Sequence, residues 1–379
     1  MADYLESRCP VFLRAVRWFM WSLLPLVVLA DCECGYSLSL NSSNGLPSAA
    51  LFTDLIESDF TRVDDISQNT DWVRQAFNLT NDRARGQYGE MFAVENVVVS
   101  PTTGQPKEDE EDEEAGLRLV VRSEPIENMI PVAEIDTHRL DMFWGTFRAS
   151  MKMTDQKGTC AAFFWYFNDT QEIDMEFLSK DFNASNSSYP VNLVLQSRDA
   201  VMAGFDAAKT SNFVKAYLPF DPTKDFHEYR IDYLPGRVFF YVDGVVLSEM
   251  VGNAVPSSPG HLILQHWSNG NKLWSGGPPA EDAALTVKYV KAYFNSSTIQ
   301  RQRDWHGRCR DVHAAHAVCK IPDITPVDHN AAGWFFKDKG NMTNNQTVSG
   351  LSGGTKLERM WWLVMGTFLF LNGGAFALW

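Results

Sequence analysis

Period two governs this chain. Between Asp31 and Ser297 short β-rich runs follow one another: "LRLVVRS", "GTFRASMKM", "CAAFFWYF", "EIDMEF", "FHEYRIDYL", "RVFFYVDGVVLSEM", "HLILQHW" and "LTVKYVKAYF". Turn residues separate them, and Asp243-Gly244, flanked by β-branched and aromatic side chains, is the strongest hairpin signal. No long helical period competes, so the pattern predicts an all-β sandwich of antiparallel sheets. A length of 379 residues at 45% hydrophobic composition suffices for one large core with accessory segments.

Within this pattern "QEIDMEF" is unusual, because Glu172, Asp174 and Glu176 alternate with Ile173, Met175 and Phe177. On a strand the carboxylates share one face and the apolar side chains the other. On a helix Asp174 would point away from the two glutamates and the apolar residues would scatter. A solvated acidic face would explain the alternation, but like charges in a row are destabilising unless their coupled ionisation is useful. Residues i and i+4 of a strand lie about 13 Å apart at Cα, so only long side chains on a curved strand bring two carboxyls towards the ~5.5 Å of a retaining glycosidase. Glutamate holds both outer positions. One carboxylate would attack the anomeric carbon while the other, its pKa raised by crowding, protonates the leaving oxygen.

The two ends have other characters. Arg14 and Arg17 precede an apolar stretch from Trp18 to Ala30 ending "VLA", the pattern of a secretory signal peptide over residues 1–30. An uncut signal anchor is the alternative. The segment 349–379 ends in an uncharged run from Met360 to Trp379, preceded by "TKLER" and by small residues at Ser349, Gly350, Ser352 and Gly353. A glycosylphosphatidylinositol-anchor signal is preferred over a single membrane span, because nothing charged follows the apolar tail. Sequons at Asn41, Asn78, Asn168, Asn183, Asn186, Asn295, Asn341 and Asn345 suit a secreted glycoprotein. The formal net charge is −14, with "EDEEDEE" (Glu108 to Glu114) supplying half of it as a loop, which argues against nucleic acid as a partner.

With Cys9 lost in the leader, Cys32, Cys34, Cys160, Cys309 and Cys319 remain, an odd number for an oxidising compartment. Cys160, before the apolar "AAFFWYF", is the expected buried free thiol, and two disulfides of open connectivity remain. His306, Cys309, His313, His316 and Cys319 also offer a zinc set, though disulfides with incidental histidines are favoured. Residues 298–348 then read as a disulfide-clipped extension running into a glycosylated linker.

The stretch "EIDMEFLSKD" resembles the E-x-D-x-E signature of glycoside hydrolase family 16, in the uninterrupted form of lichenases, xyloglucan transglycosylases and Crh-type wall transglycosylases. The resemblance extends over residues 31–297, through "GTFRASMKM", "GTCAAFFWYF", "GFDAAKTSNFVKAYLPFDPTKDFHEYRIDYLPGRVFFYVDG" and "LILQHW". It implies a concanavalin A-like β-jelly-roll sandwich with a cleft across its concave sheet. Glu172 would be the nucleophile, Asp174 its helper and Glu176 the general acid/base. Trp267 matches a cleft aromatic and Asn192 a sugar-contacting polar position. Lichenases commonly carry a Trp where this chain has Thr170, so that sugar platform is either missing or supplied by Trp165 or Tyr166. Trp274, in the Gly/Pro-rich "NGNKLWSGGPP", is a candidate for the cleft rim. Phe163, Phe164 and Phe167 are expected in the core. "CECGYSL" and "HWSNGNKLWSGGPP" look like secreted fungal members.

The expected activity is retaining endo-hydrolysis of β-1,3 or mixed β-1,3/1,4 glucan at the cell surface or wall. The alternatives are transfer of the same glycosyl-enzyme to another glucan, and a sugar-binding sandwich without catalysis. No cofactor is required by the chemistry; a structural calcium, known in some relatives, has no placeable ligands here. A monomer is expected, its partners being β-glucan and, through the anchor, the membrane.

Overall fold

The structure, a computed structural model, describes residues 31–40, 48–100, 114–325 and 327–342. The expected signal peptide, the acidic run up to Glu113, the sequons at Asn41 and Asn345 and the expected anchor lie outside them. Among the described residues no helix is long and apolar enough to cross a membrane.

Alternation in the sequence becomes two large sheets packed face to face. One contains nine strands in the order Phe213–Tyr217, Pro190–Ser197, Gln171–Leu178, Cys160–Asn168, His261–Trp267, Met129–Thr137, Gly89–Phe92, Phe77–Leu79, with Trp72–Arg74 also on Met129–Thr137. It is antiparallel except where Gly89–Phe92 runs parallel to Met129–Thr137. The other has eight: Val245–Val251, Arg237–Val242, His227–Leu234, Met142–Lys152, Ala283–Ser296, Gly116–Val121 and Val97–Ser100, with Asp54–Asp59 also on Ala283–Ser296. The expected hairpin closes on Asp243-Gly244, both at positive φ (47° and 76°), the two-residue turn whose twist suits antiparallel strands.

One apolar cluster fills the space between the sheets. Phe163, Trp165, Ile173, Met175, Phe177, Leu193 and Leu264 meet Phe147, Met151, Tyr229, Ile231, Tyr233 and Phe240. Phe177 lies edge-on to Tyr229 at 4.7 Å between centroids, and Trp165 packs on Tyr233 at 4.9 Å. Each such side chain contributes roughly 1.5–3 kcal/mol on burial, so the core decides which face of each strand is which.

A belt joins the early and late parts of the described residues. Gly35–Leu40 pairs with Ser48–Phe52 and, in parallel, with Val318–Lys320. Disulfides Cys32–Cys319 and Cys34–Cys309 fasten it, and the helix Ile299–Arg308 donates Trp305 Nε1 to Cys34 O at 3.1 Å. Cys160 is the buried free thiol. The zinc alternative fails, because Cys309 and Cys319 are both oxidised; among the described residues no three His, Cys, Asp or Glu side chains gather to hold a metal.

Beyond Lys320 the chain lies on the outer face of the eight-stranded sheet, where alternation alone would place solvent. Arg148 Nη2 and Arg230 Nη1 reach Asp323 at 2.7 and 3.0 Å, and Arg148 Nη1 donates to Pro322 O at 2.8 Å. Lys291 Nζ donates to the carbonyls of Ala331 and Ala332 at 2.8 and 2.9 Å. Gly244 makes room for this segment: a Cβ there would stand 2.1 Å from Ile324 O. The extension through Met342 is thus docked on the sandwich.

The disulfides close nested loops of 287 and 275 residues; for either bridge alone the chain-entropy account gives about 6 kcal/mol, with 2–5 the usual measured range. Replacing Cys34 and Cys309 together by serine is expected to lower unfolding free energy by about 2–5 kcal/mol in urea denaturation. An unchanged midpoint would mean that the belt is held by its other contacts.

Candidate active site

The face of Gln171–Leu178 opposite the core carries the three carboxylates. Strand register places their neighbours: Glu172 lies between Tyr166 and Gln196, Asp174 between Phe164 and Val194, Glu176 between Ala162 and Asn192. Farther along the same rows come His261, Ile263 and Gln265 on one side, and Phe213 and Lys215 on the other. Gln171 pins the entry of the strand, its Oε1 accepting from Ser257 N and Ser258 N at 2.8 and 3.0 Å.

The sequence-derived candidates separate by strand parity. Asn192 is buried beside Glu176, and Trp267 lies half-buried on the same face, adjacent to Cys160. Trp274 comes closest to the acids: the turn after His261–Trp267 brings its Nε1 to Glu176 Oε1 at 3.1 Å, and its ring lies 6.4 Å from Phe213. Trp165 must be corrected. It is fully buried in the core on the opposite face, donating Nε1 to Met142 O, because odd positions of its strand face inward. Tyr166 instead reaches the acid face, its hydroxyl donating to Asp169 at 2.9 Å. Phe164 also departs from expectation: it is buried on the acid face with Ala162 and Ile263, while Phe167 at the strand end is exposed and only Phe163 joins the core.

The carboxyls are unequal. Burial raises Asp174 well above its ordinary range, reinforced by the neighbouring Glu172. Burial also raises Glu172, while the hydrogen bond from Asp174 opposes this. Glu176 is pushed up to about 7, by burial first, with the Trp274 N–H lowering it and the Glu172 charge raising it. The Cys160 thiol, itself raised by burial, lies 3.7 Å from the same Glu176 oxygen. One carboxylate held ionised beside another holding its proton to near neutrality can attack an electrophilic carbon while protonating its leaving group.

Sequence reasoning missed a second acidic row. Glu134 accepts from Gln265 Nε2 and is raised to about 7 by burial, and Asp136, hydrogen-bonded to Gln75, is raised to about 8 by burial. The signal was present: "EID" occurs at residues 134–136 as well as at 172–174.

Comparison with known proteins identifies the family. The family described as glycosyl hydrolases family 16 matches residues 101–291. The chain belongs to glycosyl hydrolase family 16. A beta-glucanase of Paenibacillus macerans is 33% identical over 139 residues, 35% of this chain and 52% of that protein. A probable xyloglucan endotransglucosylase/hydrolase of Arabidopsis thaliana is 28% identical over 145 residues, 35% of this chain and 40% of that one. The chain thus spans about half or less of the length of these relatives. The Bacillus licheniformis beta-glucanase structure aligns with a TM-score of 0.48 at 17% identity, over 63% of this chain and 98% of that one.

Trp274→Phe removes the donor to Glu176 while keeping a ring. A hydrogen bond to the ionised form lowers a carboxyl pKa, so its loss raises it. The Glu176 carboxyl is therefore expected to titrate at higher pH in the variant when followed by carbon-13 NMR. A midpoint unchanged from wild type would show that the contact carries no weight.

Proposed function

We propose that this family 16 chain is a retaining endo-β-glucanase acting on β-1,3 or mixed β-1,3/1,4 glucan. The observation that carries the reading is the row of three carboxyls on one strand face, Glu172, Asp174 and Glu176, with Trp274 Nε1 on Glu176 and burial pushing Glu176 up to about 7. Glu172 attacks the anomeric carbon as the bond to the glycosidic oxygen breaks, and Glu176 gives its proton to that leaving oxygen. Glu176 then takes a proton from water, whose oxygen displaces Glu172 from the sugar. Asp174 holds the nucleophile and, by keeping its own proton, spares the site a third charge. Asn192 and Trp267 lie on the same face, suited to sugar hydroxyls and to the apolar face of a pyranose.

The second reading replaces water by a glucan hydroxyl. It is supported by the plant relative, whose name pairs transfer with hydrolysis. The leader pattern over residues 1–30 and the apolar run Met360 to Trp379 support a place for the enzyme at the cell surface.

Products of the full chain on defined β-1,3 and mixed-linkage gluco-oligosaccharides, read by mass spectrometry, test the proposal. Shorter products alone are expected; longer ones would assign transfer. Glu172→Gln should lose at least about 10³-fold in kcat/KM, and turnover surviving in that variant would sink the mechanism. Activity should also fall as pH rises through about 7, where Glu176 loses the proton it must donate, and fall again in acid as Glu172 takes one up.

A further inference from the structure

Two loops that leave opposite ends of the acid-bearing sheet face meet each other. The segment Asn81–Ala84 and Arg85 is tied to the turn after Trp267: Asn269 Nδ2 donates to Ala84 O at 2.7 Å, Asn271 Nδ2 to Arg85 O at 3.2 Å, and Tyr88 N to Asn269 O at 2.9 Å. Gly86 permits the approach, since a Cβ there would stand 2.2 Å from Asn269 O. By register, Trp267 lies at the Glu176 end of the floor. The segment bearing Phe205 leaves Ser197, which pairs with Gln171 at the Glu172 end. Ala200 and Ala207 seat that segment on Val194 and Phe213 of the acid face, next to Asp174.

The Arg85 guanidinium lies over the Phe205 ring, 4.5 Å from its centroid. Both side chains are exposed, Phe205 at 40%. Both residues adopt left-handed backbone conformations (φ 58° and 62°), disfavoured for side chains of this size. Among the described residues Arg85 makes no ion pair, leaving its donors open.

We propose that Arg85 and Phe205 form a strap across the cleft, and that the Arg85 guanidinium binds hydroxyls of the glucan residue held over Glu172 and Glu176. This rests on the glucanase reading above. Its planar fork of N–H donors suits adjacent hydroxyls of a neutral sugar, and stacking on Phe205 holds the fork in place. The charge also acts on the acids below, lowering both Glu172 and Glu176 against the effect of burial. The other groups facing those two are Asp174 between them, Tyr166 and Cys160 on the adjoining strand, Glu134 beyond, Asp169 at the hairpin end and Trp274. Lys215, on the far side of Asn192, is engaged with Asp181.

The test compares full-length wild type with Arg85→Ala, Arg85→Lys, Phe205→Ala and the double alanine variant on the same oligosaccharides, measuring kcat, KM, Kd and Tm. Arg85→Ala should raise KM and Kd about tenfold, Phe205→Ala less, and the double variant no more than Arg85→Ala alone, as for residues acting as a unit. Tm should hold within about 2 °C, as both side chains are surface groups. Loss of the cation raises both acids, so Arg85→Ala moves both limbs of the pH profile to higher pH, whereas Arg85→Lys, keeping the charge, leaves them in place. Unchanged KM and Kd, or additive losses with an unmoved profile, would overturn the strap. If wild type binds glucan without turning it over, the glucanase reading falls while Kd still reports on the strap; if it neither binds nor turns over, both fall.

Discussion

Ile173, Met175 and Phe177 are held against the eight-stranded sheet, with the Phe177 ring 4.7 Å from Tyr229, and this contact fixes the register of the strand carrying all three carboxylates. A slip by one residue would exchange the faces, burying acids in the core and exposing its apolar side chains. Crowding three carboxyls is costly, but the core contributes roughly 1.5–3 kcal/mol per apolar side chain, and the proton retained by Asp174 removes one of the charges. The same inward packing that secures the sandwich therefore holds the acids in a fixed row.

The back of the sandwich is covered from an unexpected quarter. The outer face of the eight-stranded sheet carries Arg148, Arg230, Glu228 and Lys291, all buried by the returning segment. Burying such charges is tolerable because each finds a partner: Asp323 for the two arginines, Tyr289 for Glu228, carbonyls for Lys291. The disulfide-fastened belt thus turns what would be a solvated face into a second interior.

Strands and their faces were legible in the sequence. The alternation at Glu172–Phe177, the Asp243-Gly244 hairpin and the buried Cys160 all follow from period, turn chemistry and apolar context. Trp165 shows where that legibility stops. An aromatic residue near a catalytic motif invites a role at the sugar, but parity puts its ring in the core and Tyr166 on the cleft. Applying the rule used for the acids to the adjoining strand would have separated the two. The repeated "EID" at 134–136 was equally visible, but its relevance depends on which strands become neighbours.

The sequence by itself determined that the chain alternates and that three acids share a face. Each is a local property of consecutive residues. Only the tertiary structure decided that Trp274 reaches Glu176, that Cys34 finds Cys309 across 275 residues, and that Arg85 meets Phe205. These contacts join segments distant in sequence, and strand order sets them; a periodic pattern specifies which way a side chain points but not which strand will lie beside it.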